Sequence, residues 1–103
     1  MTTSKRIATA GFFLGMSAWA QKDIKDIYLD KCSVCHGADG AGKTAKGRKL
    51  KVKDVHETAA KMSAVDMIKI VENGKGNNMD GFGKDLSKDQ IKAVVDYFRG
   101  LAK

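Results

Sequence analysis

The sequence predicts an all-α fold. Apolar residues recur at helical spacing in several segments, and no stretch alternates apolar with polar residues as a half-buried strand would. Serines stand three residues ahead of a polar partner where two of those segments begin, as helix caps do.

The elements follow in chain order. Lys5 and Arg6 precede an uncharged run from Ile7 to Ala20 that holds Phe12, Phe13, Leu14 and Met16 and ends in Ala18-Trp19-Ala20. A basic start, an apolar stretch and a small-x-small end have the layout of a secretory signal peptide. The run of about 14 residues falls short of the roughly 18 that a membrane span requires. The alternative is an uncleaved signal or an amphipathic anchor. The expected organisation is therefore a signal peptide over 1–20 and one domain over 21–103. Ile24, Ile27, Tyr28 and Lys31 mark a helix from about Asp23 into the segment of Cys32. Gly37 to Lys53, rich in glycine and lysine, reads as a loop, and Val55 to Lys61 as a short helical turn. Ser63 and Asp66 cap a helix carrying Met67, Ile68 and Val71, which Gly74 should stop. Gly74 to Gly83 is a second loop with four glycines and two asparagines. Ser87 and Gln90 form a capping box ahead of the stripe Ile91, Val94, Val95 and Phe98.

A single domain this short buries only about 60% of its unfolded surface, so a staple is expected. The chain has two cysteines and no proline. The cysteines stand in Cys32-Ser33-Val34-Cys35-His36, the Cys-x-x-Cys-His form of a c-type haem attachment. On a helix, positions i, i+3 and i+4 share a face. Two thiols there can bond one porphyrin edge while the adjacent imidazole lies close to the iron. A dithiol redox pair would need a βαβ setting that is missing. A disulfide across two residues would stabilise little, and Cys32, Cys35, His36 and His56 are poorly spaced for zinc.

Gly37 to Thr44 matches the phosphate-binding pattern G-x-x-x-x-G-K-[ST] letter for letter. That motif needs a strand before it and a helix after it; here a cysteine-bearing helix comes first and a basic loop follows, so no nucleotide is expected. Net charge is +7, and Lys43, Lys46, Arg48, Lys49, Lys51 and Lys53 crowd one segment. That segment is either a solvated loop or an electrostatic face for an acidic partner. No aromatic residues interleave with it, which argues against nucleic acid.

His36 supplies one axial ligand, and the second decides function, because a strong ligand gives an electron carrier and an open position permits gas binding or peroxide chemistry. The candidates are His56, Met62, Met67 and Met79. Met67 sits in an apolar stripe, Met62 reads as core or surface, and His56 as an exposed histidine. Met79 stands alone in Asn77-Asn78-Met79-Asp80-Gly81-Phe82-Gly83, with no stripe to join.

Residues 22–103 resemble the class I c-type cytochromes in their short bacterial form. The resemblance is carried by Tyr28 four residues before Cys32, by Cys32-Ser33-Val34-Cys35-His36-Gly37, by Asn73-Gly74-Lys75-Gly76, by the Met79 loop with Phe82-Gly83, and by Tyr97-Phe98. It implies a small helical fold wrapped around one haem c, thioethers at Cys32 and Cys35, and axial ligands His36 and Met79. It implies that the first and last helices cross near Tyr28 and Tyr97. The implied function is single-electron transfer in the periplasm between redox proteins, with no enzymatic reaction and no stable membrane insertion after signal cleavage. A haem sensor or weak peroxidase with a displaceable ligand is the alternative. Two departures carry expectations of their own. Asp80 stands where the family often has proline, which predicts a less rigid Met79 loop. Ile24 stands where the family often has glycine, which predicts a wider helix crossing. Closing the 43-residue separation from His36 to Met79 costs roughly 3 kcal/mol, so Met79 is the more labile ligand unless packing already holds its loop. Lys75 and Lys84, with the 43–53 lysines, are expected to ring the haem edge, and Arg48 is a candidate for a haem propionate.

Overall fold

The computed structural model describes residues 23–103; the expected signal peptide lies outside them. The described chain is helical, and its only strand-like feature is an isolated antiparallel bridge between Lys75 and Met79. Helix α1 spans 23–36, with a π-helical turn at Tyr28–Cys32 that passes into the α-helical Ser33–His36. It is followed by α2 (Ala45–Lys49), α3 (Val55–Lys61), α4 (Ala64–Asn73) and α5 (Lys88–Gly100).

The last helix is built as its pattern dictates. Ile91, Val94 and Val95 are buried, and both bonds of the capping box are present: Gln90 N–H donates to Ser87 Oγ (3.1 Å), and Ser87 N–H to Gln90 Oε1 (2.8 Å). Replacing Ser87 with alanine is expected to cost about 1 kcal/mol, read as a lowered thermal midpoint without loss of helical content. Ser63 Oγ accepts the N–H of Asp66 at 3.2 Å to start α4, and Gly74, at φ +86°, ends it.

Where α1 meets α5, Ile24, Tyr28 and Val94 form a buried cluster, joined by Val71, Tyr97, Phe98 and Leu101. The Tyr28 ring lies 5.2 Å from that of Tyr97 and 6.2 Å from that of Phe98. Ile24 is part of this cluster, so the place where the family often has glycine is filled by an apolar side chain packed with Val94.

The 37–53 segment departs from the expectation of a loop. It contains α2, whose one buried residue is Gly47. A side chain there would fall on the backbone carbonyls of Cys35 and Gly42. A helix whose inner face is a glycine leaves no apolar period to read. Helix α2 closes with the paired bonds of a Schellman motif, Lys51 N–H to Arg48 O (3.2 Å) and Val52 N–H to Gly47 O (2.8 Å). Lys51 takes the left-handed position that glycine usually fills, at φ +59°, a conformation that costs an L-residue roughly 1–2 kcal/mol.

Candidate functional site

Helix α1 brings three of the four predicted site residues together. Cys32 and Cys35 are half-buried and unpaired thiols, one turn apart, with His36 beside them. Burial first, and then the neighbouring Cys35, push the Cys32 thiol up to about 11, against the opposing charge of Lys31. A thiol that holds its proton so firmly is a poor redox nucleophile, which argues against the dithiol reading. The zinc reading fails on geometry. His56 is exposed on α3 with its Nδ1 2.8 Å from Asp54 Oδ1, and no group of three metal-ligating side chains exists among the described residues.

His36 is held through its ring and through the backbone around it. Its ring meets the edge of Phe98 at 4.9 Å between centroids. Its carbonyl accepts the N–H of Gly42 at 2.8 Å, and the carbonyl of the next residue, Gly37, accepts the hydroxyl of Tyr28 at 2.6 Å. Burial lowers its basicity, which favours the neutral imidazole that metal ligation requires. Nδ1 is covered and has no hydrogen-bond partner among the described residues. Two unpaired thiols, a neutral half-buried imidazole with a covered, orphaned nitrogen and a wall of aromatic carbon fit a covalently attached haem.

The glycine-rich segment serves this site. Gly37, Gly40 and Gly42 all have positive φ, and a Cβ at Gly40 would press on Val55 at 2.9 Å. Val55 N–H donates to Gly40 O at 2.8 Å, which seats the turn on α3. Thr44, the hydroxyl residue of the apparent phosphate motif, is spent on structure. Its Oγ1 donates toward the carbonyls of Val34 (2.7 Å) and Cys35 (3.2 Å) and accepts the N–H of Gly47 at 2.9 Å. A helix does follow the motif, but a helix rather than a strand precedes it. Thr44 thus bolts the basic segment onto the cysteine helix, beside Val34, which is 55% exposed. Sequence reasoning missed this role, since a threonine beside lysines carries no periodic signal. Arg48 is exposed and joins no ion pair among the described residues.

Of the methionine candidates, Met67 is buried, with its sulfur 3.8 Å from Arg99 Nη1. Met62 lends its carbonyl to the same guanidinium at 2.8 Å. Met79 is half-buried in a loop tied to the end of α4: Lys75 N–H donates to Met79 O (2.8 Å), Phe82 N–H to Val71 O (2.7 Å) and Gly83 N–H to Glu72 O (3.0 Å). The Lys31 ammonium lies 5.9 Å from the centre of the Phe82 ring, which sets this loop against α1 next to Cys32. The loop lacks the proline that would stiffen it, and backbone hydrogen bonds hold it instead.

Comparison with known proteins agrees with this geometry. The family model described as cytochrome c oxidase, cbb3-type, subunit III matches residues 19–98. Two solved structures are similar: the KustC0563 c-type cytochrome, 32% identical over 77% of this chain and 96% of its own, and a tyrosine-to-phenylalanine mutant of that same protein, 31% identical over 77% and 98%. Both superpose with a TM-score of 0.70. No curated protein matches the chain. With four-fifths of the chain matched by the family model and the fold shared with c-type cytochromes, the chain belongs to the cbb3-type subunit III cytochrome c family: it is a small class I c-type cytochrome that carries covalent haem c and serves haem-based electron transfer.

Proposed function

We propose that this cytochrome is a periplasmic single-electron carrier whose haem is attached through Cys32 and Cys35 and ligated by His36 and Met79. The observation that carries the proposal is the meeting of two elements: one turn of α1 presents both thiols and a neutral imidazole, and the Met79 loop is tethered against the residue beside Cys32. When bound, the haem supplies a one-electron couple at its iron, and His/Met ligation sets a comparatively high potential. The chain does the rest. Cys32 and Cys35 anchor the ring edge near the surface, where exposed Val34 marks the route by which electrons leave. Phe98 and Tyr28 hold His36 in place, and the tethers of the Met79 loop keep water and exogenous ligands from the sixth position. No described helix is long and apolar enough to cross a membrane, in keeping with a carrier that diffuses between partners.

Met79→Ala tests the assignment. The variant is expected to keep its haem and lose the far-red methionine–iron absorption band, while the reduced form gains carbon monoxide binding that the parent refuses. A spectrum unchanged from the parent would remove Met79 as a ligand, and ready carbon monoxide binding by the parent would favour a sensor or peroxidase. The basic segment is proposed to steer an acidic partner, so the rate with that partner should fall steeply as salt shortens the Debye length.

A further inference from the structure

The described chain places an aspartate or asparagine directly before a glycine at Asp39-Gly40, Asn73-Gly74 and Asp80-Gly81. Glycine has no side chain to shield its amide nitrogen, so that nitrogen can attack the side-chain carbonyl carbon of the residue before it. The fold blocks this attack at two of the sites. Gly40 is buried, its N–H donates to Gly37 O at 3.1 Å, and Asp39 Oδ1 accepts the N–H of Ala41 at 3.0 Å. Asn73 is the last residue of α4, and Gly74 N–H donates to Ile70 O at 2.7 Å. Asp80-Gly81 is different. Both residues are exposed and lie outside any helix. Among the described residues, neither Gly81 N–H nor Asp80 C=O takes part in a main-chain hydrogen bond, and the Asp80 carboxylate joins no ion pair.

We propose that Asp80-Gly81 is a modification site, at which Asp80 isomerises spontaneously to isoaspartate. The Gly81 nitrogen bonds to the Asp80 side-chain carboxyl carbon, a C–O bond breaks, and one water leaves to give a five-membered succinimide. One water then adds to the main-chain carbonyl of that ring and opens it, and the chain now runs through the side-chain carbon. Nothing is oxidised or reduced, and the water released equals the water consumed. The product lengthens the backbone by one carbon between two fixed points, the Lys75–Met79 bond on one side and the Phe82–Val71 bond on the other. Met79 borders the inserted carbon, so isomerisation loosens the sixth ligand and opens that position. This consequence rests on the His36/Met79 ligation proposed above; the isomerisation itself does not.

The test ages the full haem-bearing protein at a fixed temperature below its thermal midpoint. Samples are digested, and isoaspartate is located by peptide mapping and by enzymatic methylation of isoaspartyl carboxylates. Isoaspartate is expected at 80–81 in excess of both other sites, by about fivefold or more over 39–40, where a hydrogen bond must break first. The far-red band should fall in the same proportion, and the same fraction of the reduced protein should bind carbon monoxide. Asp80→Glu, whose larger ring closes far more slowly, should show the band when fresh and keep it on ageing. Isoaspartate no more abundant at 80–81 than at 39–40 would overturn the inference, as would a band that stays whole while isoaspartate accumulates beside it. Isoaspartate concentrated at 80–81 in a protein that never showed the band would support the site and overturn the Met79 ligation instead.

Discussion

Replacing Tyr28 with alanine is expected to cost about 3–5 kcal/mol from the lost aromatic packing alone. A domain of about 80 residues has roughly 4–12 kcal/mol of total stability, so this one change consumes much of it. Tyr28 is 1% exposed and joins the rings of Tyr97 and Phe98. Its hydroxyl also satisfies the carbonyl of Gly37, which alanine would leave without that partner. Tyr28→Phe separates the two effects: it keeps the ring and forfeits only the hydrogen bond, worth about 1 kcal/mol. Chemical denaturation of the haem-bearing protein measures both, and an alanine variant losing less than about 1 kcal/mol would contradict the packing described here. The hydroxyl has a second readout. Burial raises the Tyr28 phenol well above its ordinary value of 10.0. The folded state therefore keeps a proton that the unfolded chain gives up, and stability is full below pH 10.0 and falls as pH rises beyond it. Part of that alkaline loss should vanish in Tyr28→Phe.

What could be read from the sequence was local. The stripe of α5, the Ser87 and Ser63 caps and the Gly74 stop each depend on residues within one or two turns, and all are present. Cys32, Cys35 and His36 lie within five positions and share a helix. Features that depend on distant backbone were not legible. Helix α2 leaves no periodic trace because its inner face is Gly47 rather than an apolar side chain. The Tyr28 bond to Gly37 spans nine residues and the Arg99 bond to Met62 spans 37, and neither has a sequence signature. The missing proline predicts a less rigid Met79 loop; the main-chain hydrogen bonds that tie this loop to the end of α4, which any residue could supply, have no sequence signature.

The tether also changes the energetics of ligation, and Gly81→Ala is expected to expose it. The separation from His36 to Met79 overstates the closure, because α4 and α5 frame the Met79 loop, and only residues 74–87 are left to close. For a loop of that length the cost is roughly 2 kcal/mol, and the tether meets it before any iron bond forms. A Cβ at Gly81 would stand 2.7 Å from Glu72 O and 2.9 Å from Gly74 N. Both are backbone atoms at the end of α4 and cannot swing aside. Relief requires the 80–83 segment to lift, which breaks the bonds from Phe82 to Val71 and from Gly83 to Glu72. The proposed Met79–iron bond would then bear the closure cost alone, a weakening of about 30-fold. The far-red band should disappear at mildly alkaline pH in Gly81→Ala while the thioether-bound haem stays in place, and the reduced protein should accept carbon monoxide. Gly76→Asn is the matched control: a Cβ at Gly76 has nothing within 4 Å, and asparagine tolerates its φ of +56°, so the band should persist as in the parent. If Gly81→Ala holds its band until the whole protein unfolds, the loop is kept by the iron and not by α4.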